Sequence, residues 1–142
     1  MEIKLDITAL KKAAAAFDNA LAFAAKVESK PKQAIEFFEL ESVRASVLQH
    51  FEICYELCQK TMKRFIEMDI GAEADILTRK DLFRVSAEKR LIDNFDHWVT
   101  FHKVRNLTSH VYDEETAIEV YRIAKSFADD LHAFVGTMGK RI

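Results

Sequence analysis

The stretch Val43-Arg44-Ala45-Ser46-Val47-Leu48-Gln49-His50-Phe51-Glu52-Ile53-Cys54-Tyr55-Glu56-Leu57-Cys58-Gln59-Lys60-Thr61-Met62-Lys63-Arg64-Phe65-Ile66 decides the fold. Its apolar residues, Val43, Val47/Leu48, Phe51, Cys54/Tyr55, Cys58, Met62 and Phe65/Ile66, recur at three- and four-residue spacing. At 3.6 residues per turn they form one stripe on one helix. Glu52, Glu56, Lys60 and Lys63 fall on a more polar face, where Glu56 and Lys60 make a favourable i,i+4 pair. The pattern predicts a long helix over about Phe38–Met68. Glu52 and Glu56 resemble a catalytic acid–base pair, but two carboxylates so placed more often belong to a solvated or interface face.

The same period continues on both sides. Leu10, Ala13/Ala14, Phe17, Leu21 and Ala24/Ala25 predict a helix over about Asp6–Glu28, ended by Ser29-Lys30-Pro31. Gly71 is placed to end the second helix, and Ala72–Leu77 reads as a linker. Thr78, with Asp81 three residues on, resembles a capping box that opens a short helix over about Arg79–Leu91. Trp98, Phe101 and Val104 predict a fourth helix over about Asp96–Ser109. Asp113 caps a fifth, about Glu114–Val135, with Gly136 and Gly139 marking its frayed end. Four long amphipathic helices and a short one predict an all-α, antiparallel up-and-down four-helix bundle with an additional short helix.

Composition agrees. The 142 residues suit one domain spanning 1–142; 49% are hydrophobic and 31% charged, and there are only 3 Gly and 1 Pro. Sheets and turn-rich folds need more turn residues than that. A net charge of −2 excludes a global basic excess, so any RNA contact must be a local patch. No stretch resembles a membrane span, and the start of the chain lacks a signal-peptide pattern, so a cytoplasmic protein without membrane contact is expected. Cys54 and Cys58 share a helix face as small core residues; a zinc site needs further ligands at recognisable spacing. Arg79, Lys80, Arg84, Lys89 and Arg90 give the short helix a basic face, either solvated or RNA-contacting.

Chemistry concentrates in Arg105-Asn106-Leu107-Thr108-Ser109-His110-Val111-Tyr112. An Arg binds phosphate as a bidentate fork, a His moves protons near neutral pH, and a Tyr hydroxyl donates, accepts or is modified. These are parts for chemistry on a phosphodiester with no metal or cofactor. Asn106 and His110 project from one helix face, but Arg105 and His110 lie about 140° apart around an ideal helix. Convergence requires the helix to unwind near Thr108-Ser109, the long Arg to reach around, or two chains to meet at a two-fold axis. The bland alternative is a His at a helix C-terminus, an Arg paired with Asp96 or Glu114, and a Tyr packed in the core.

On these residues the chain resembles the HEPN superfamily, whose hallmark is R-x4-6-H, commonly with a polar residue after the Arg. Arg105, Asn106 and His110 match it, and Tyr112 extends the run to the R-x4-H-x-Y form of HEPN toxins encoded beside a small nucleotidyltransferase. More closely, the chain resembles the branch of nucleotidyltransferase substrate-binding proteins. That resemblance rests on Gln49–Lys60 and on the R-N-x-x-x-H-x-Y-D ending at Arg105–Asp113, and it runs from about Ala9 to Phe134. Gln59 stands where this branch often carries Trp, and the Gly71–Leu77 region is less typical.

The resemblance implies a homodimer with a composite cleft at its two-fold. It implies a toxin that is a metal-independent endoribonuclease acting on RNA, tRNA among the candidates. Arg105 would hold the scissile phosphate, His110 would transfer protons, and Asn106 would orient the phosphate or the imidazole. Tyr112 would be adenylylated by a partner nucleotidyltransferase antitoxin, adding an anionic group that blocks RNA. The alternative is a non-catalytic nucleotide- or substrate-binding subunit of a two-component nucleotidyltransferase. A purely structural bundle is a third reading.

Overall fold

The computed structural model describes residues 5–70, 77–110 and 113–142, except for the side chains of Ile70 and His110. The expected Gly71 cap, the linker before Leu77, and Tyr112 lie outside them. Five helices follow one another: α1 (Thr8–Glu28), α2 (Phe37–Ile70), α3 (Arg79–Glu88), α4 (Phe95–Leu107) and α5 (Glu114–Arg141). Short 3-10 turns occupy Lys32–Ala34, after Pro31, and Thr108–His110, after α4. The described residues contain no strand, and the fold is the expected all-α bundle with its short extra helix.

Each helix begins where the local chemistry allows. The Asp6 carboxylate accepts from the Thr8 amide at 2.9 Å and from its hydroxyl at 2.6 Å, and α1 starts at Thr8, two residues after the expected boundary at about Asp6. Thr78 Oγ1 accepts from the Asp81 amide at 3.1 Å, and Asp113 accepts from the Thr116 amide at 3.2 Å, as their spacing predicts. Asn94 does the same for α4, accepting from the His97 amide at 3.2 Å.

Two helix ends differ from expectation. α3 stops at Glu88, short of Leu91, because Arg90 adopts a left-handed φ of 61°. The Leu91 amide then reaches back to the Ser86 carbonyl at 2.8 Å and the Arg90 amide to Ala87 at 3.0 Å, a Schellman-type ending. α5 runs through Gly136 and Gly139 to Arg141. Tertiary contacts override glycine's poor helix propensity here. Met138 is fully buried, and the Arg141 guanidinium donates to the Lys89 carbonyl at 2.8 Å, satisfying the end of α3.

One apolar core joins the helices. Its centre is aromatic: Phe127 of α5 meets Phe101 of α4 at 4.9 Å between ring centroids, Phe51 of α2 at 5.1 Å and Trp98 of α4 at 5.6 Å, largely edge to face. α1 lies chiefly along α2, while α4 is wedged between α3 and α5. Cys54 and Cys58 are free thiols inside this core, as their spacing indicates. Burial pushes the Cys54 thiol up to about 12 and Cys58 well above its usual value, so neither supplies a thiolate.

Candidate functional site

The site grows from the way α4 is anchored. Trp98, Phe101 and Val104 face the core. That stripe fixes the rotation of the helix and turns His102, Arg105 and Asn106 toward its wetter flank, where α2 and α3 meet it. After Leu107 the chain tightens into the 3-10 turn Thr108–His110, so the regular α-helix ends between Arg105 and His110. The Thr108 hydroxyl donates to the Arg105 carbonyl at 2.8 Å and satisfies one of the last carbonyls of α4. Arg105 and Asn106 thus close the helix and His110 ends the turn that follows; the His110 side chain and all of Tyr112 lie outside the described residues.

Arg105 pairs with neither Asp96 nor Glu114. Its Nε stands 3.4 Å from Glu56 Oε1 on α2. The contact is ionic but lacks hydrogen-bond alignment, so Nε is buried without a hydrogen-bond partner. Glu56 also accepts from the Gln59 side-chain amide at 3.3 Å. Glu56 therefore belongs to the site, with Arg105 and Gln59 as its partners rather than the expected i,i+4 neighbour Lys60.

Sequence reasoning missed the next layer. Tyr55, a core residue by its spacing, is 1% exposed, yet its hydroxyl lies 2.7 Å from His102 Nδ1. Burial pushes the Tyr55 phenol well above its ordinary range, so it keeps its proton and donates it to the imidazole. Burial, then the Arg79 charge, hold His102 below its ordinary value; Glu56 opposes this and Arg105 adds to it. His102 is a neutral imidazole at pH 7, accepting at Nδ1 and carrying its proton on Nε2. Nε2 faces the Asn106 side-chain amide at 3.5 Å, and turning that amide by 180° places its oxygen there as acceptor. The i,i+4 spacing of His102 and Asn106 was the available signal. The tyrosine 47 positions away from His102 had none in the sequence.

Arg79, the first residue of α3, completes the cluster. It stands close enough to Tyr55 and His102 to act on both by charge, while its own Nη1 is buried and has no hydrogen-bond partner. A half-open cleft of ≈ 270 Å³ lies beside it, lined by Gln59, Lys63, Thr78, Arg79 and His102 over the apolar floor of Leu82. Among the described residues, no cluster of His, Cys, Asp or Glu is arranged to hold a metal ion. No described helix is long and apolar enough to cross a membrane. The arrangement offers guanidinium donors for an anion and a neutral imidazole held in one tautomer. The sequence marks Arg79 only as part of a basic face; of that face, Arg84 pairs with Asp81 at 2.9 Å and Lys89 with Asp69.

Comparison with known proteins agrees with this frame. The family described as "Nucleotidyltransferase substrate binding protein like" matches residues 5–140. A Haemophilus influenzae protein named "Probable ribonuclease HepT" is 39% identical over 83 residues. That match spans 57% of this chain and 57% of the relative, so the chain is matched to little more than half of the relative's length. The structure of HI0074 from Haemophilus influenzae, described as the fold of a substrate binding domain of a nucleotidyltransferase, superposes with a TM-score of 0.82 at 26% identity. It covers 94% of this chain and 98% of its own. A crystal structure from Thermus thermophilus shares the fold at a TM-score of 0.63 and 21% identity, over 86% and 98% of the two chains. With the family match spanning nearly its whole length, this chain belongs to the nucleotidyltransferase substrate-binding-protein-like family, the HEPN branch that its Arg105–Asp113 run resembles.

Proposed function

We propose that this chain is an HEPN-type toxin, a metal-independent endoribonuclease whose partner is a nucleotidyltransferase antitoxin. The observation that carries the reading is the end of α4. Arg105 and Asn106 stand side by side there, the first with a buried Nε that no hydrogen bond satisfies, and the turn to His110 begins two residues on. The exposed part of the Arg105 guanidinium, whose side chain is 33% exposed, draws a phosphodiester and neutralises the charge that builds in the transition state. Asn106, steadied by His102 and Tyr55, orients the phosphate. His110 moves the proton. The ribose 2′-oxygen bonds to phosphorus as its proton leaves, and the bond to the 5′-oxygen breaks as that oxygen is protonated. The name of the HepT relative supports a nuclease, and the description of HI0074 supports a nucleotidyltransferase partner.

Two copies related by a two-fold axis would bring duplicate Arg105–His110 sets to a shared cleft. The exposed Ile53 on α2, Leu107 on α4 and Ile118 on α5 provide apolar surface on the elements that carry the site. In this reading the antitoxin adenylylates Tyr112, and the added phosphate competes for Arg105.

The test is to incubate the chain with its nucleotidyltransferase and ATP, then to map AMP adducts by peptide mass spectrometry while RNA cleavage is followed. Cleavage that falls in step with an adduct on Tyr112 supports the toxin reading. Cleavage indifferent to the adduct, or an adduct elsewhere, refutes the regulation. The HI0074 description favours one second reading, a subunit that holds nucleotide for the transferase. That role requires ATP to bind this chain tightly with no RNA cleaved.

A further inference from the structure

Tyr55, His102 and Asn106 form a chain of polar contacts whose direction can be read atom by atom. The Tyr55 hydroxyl lies 2.7 Å from His102 Nδ1, and His102 Nε2 faces the Asn106 side-chain amide at 3.5 Å. Two arrangements of the protons satisfy these distances. In one the phenol donates to Nδ1; in the other Nδ1 carries the proton and donates to the phenol oxygen. The second leaves the phenol hydrogen, on a residue 1% exposed, in need of another acceptor. The Arg79 guanidinium set beside that hydroxyl is a donor only. Glu56, the carboxylate that also acts on the phenol, is taken up by Arg105 and Gln59. The phenol therefore donates to Nδ1, and the imidazole proton sits on Nε2.

That proton decides which way Asn106 points. An N–H on Nε2 needs an acceptor, so the amide oxygen turns inward to it and the NH2 group turns outward. Asn106 is exposed, so the outward group meets whatever binds at the end of α4. An NH2 group recognises an acceptor such as a phosphate oxygen; an outward oxygen would instead recognise a donor such as a ribose hydroxyl. The imidazole is itself fixed by the core, in ring contact with Tyr55 of α2 and Phe83 of α3 at 6.0 and 6.5 Å between centroids. The amide thus meets a ligand already oriented, which lowers the entropy cost of ordering it.

We propose that Tyr55 and His102 are positioning residues that make Asn106 a dedicated hydrogen-bond donor, its NH2 group aimed at an oxygen of the phosphate that Arg105 draws. The proposal rests on the reading of the α4 exit as the place where an RNA phosphate binds, and it deepens that reading: Asn106 recognises the phosphate and not the ribose. Tyr55 and His102 act on the ligand only through Asn106.

Nitrogen chemical shifts of the His102 ring, measured by NMR on the full wild-type chain at neutral pH, give the first test. The proton is expected on Nε2, with a mixture of tautomers in Tyr55→Phe; a proton on Nδ1 in wild type overturns the proposal. Binding gives the second. Two fluorescent 12-nucleotide strands of one sequence, an oligoribonucleotide and its deoxy counterpart, are titrated into the full chain in a His110→Ala background that keeps the RNA intact. His102→Leu should weaken both strands about fivefold, the cost of ordering one freed side chain. Asn106→Asp should weaken both roughly tenfold, because an oxygen then faces the phosphate. His102→Gln carries an N–H where Nε2 stands and should recover most of the loss. A loss confined to the RNA strand overturns the positioning role, as does unchanged affinity in His102→Leu, a loss that His102→Gln fails to recover, or failure of both strands to bind. Cleavage, followed separately, decides the nuclease. A wild type that cuts no RNA, beside both strands weakened in His102→Leu and recovered in His102→Gln, removes the nuclease and keeps the positioning role. Cleavage that depends on His110, beside binding unaltered in His102→Leu, does the reverse.

Discussion

Replacing Arg105 by Gln separates a structural role from a functional one, because the structure sets the stability cost. The guanidinium faces Glu56 at 3.4 Å. Two unit charges at that distance attract by about 5 kcal/mol at an effective dielectric of 20 and about 1 kcal/mol in water. The two side chains are 33% and 37% exposed, so solvent screening holds the pair at the weak end, below about 1 kcal/mol. Against this, the buried Nε without a hydrogen bond costs about 1–3 kcal/mol, which Gln relieves at least in part. The two terms nearly cancel. Arg105→Gln should change stability by no more than about 1 kcal/mol, a shift of at most about 4 °C in melting temperature for a chain of this size. Cleavage should fall by about 10²–10³, the usual loss when one stabiliser of a developing oxyanion is removed. Thermal unfolding and RNA cleavage measured on the same preparation give both numbers. A melting temperature lowered by more than about 8 °C would refute the electrostatic argument, and cleavage kept within tenfold of wild type would refute the role of Arg105.

Other perturbations test the packing and the inner cluster. Tyr55→Phe keeps the buried ring and removes the donor to His102 Nδ1, so it should cost about 1–2 kcal/mol, read as a fall of roughly 3–7 °C in melting temperature; an unchanged value would mean that the 2.7 Å contact contributes nothing. His102 should titrate below its ordinary value of 6.5, and Arg79→Gln should raise it, as followed by imidazole proton shifts in NMR. Between the folded value and 6.5 the unfolded chain binds more protons, so stability rises with pH there. The contribution is fully present above 6.5 and is lost as pH falls through the folded value; His102→Gln should flatten that slope, and an equal slope in the variant contradicts the assignment. Phe127→Ala should cost about 3–5 kcal/mol, because the ring is fully buried against Phe51, Trp98 and Phe101; urea unfolding that shows less than about 1 kcal/mol would contradict the aromatic centre of the core.

What is legible in the sequence follows from the range of the interaction. The stripes on α2 and α5 repeat locally, so helix type and buried face can be read directly, down to Cys54, Cys58 and Phe127. Caps at Thr78 and Asp113 act over three residues and are equally visible. The end of α5 departs from its local pattern because Arg141 is held by a partner about 50 residues away and Met138 is buried in the core, and those contacts outweigh two glycines. The Arg105–His110 run stands out as a cluster of polar groups, and the α-helix gives way to a 3-10 turn at Thr108, within the run itself. The surroundings of the run are not visible. Glu56, Tyr55 and Arg79 come from other helices, and nothing in their own neighbourhoods marks them as more than a solvated face, a core ring and a basic patch.

The central claim is an RNA-cleaving centre built on the α4 exit. It is tested most directly by incubating total cellular tRNA with the purified chain in EDTA, wild type beside His110→Ala, after mass spectrometry has established that Tyr112 is unmodified. The expected result is cleavage by wild type and none by His110→Ala at the same melting temperature. Cleavage of equal rate by both proteins, or no cleavage by the unmodified wild type, would contradict it.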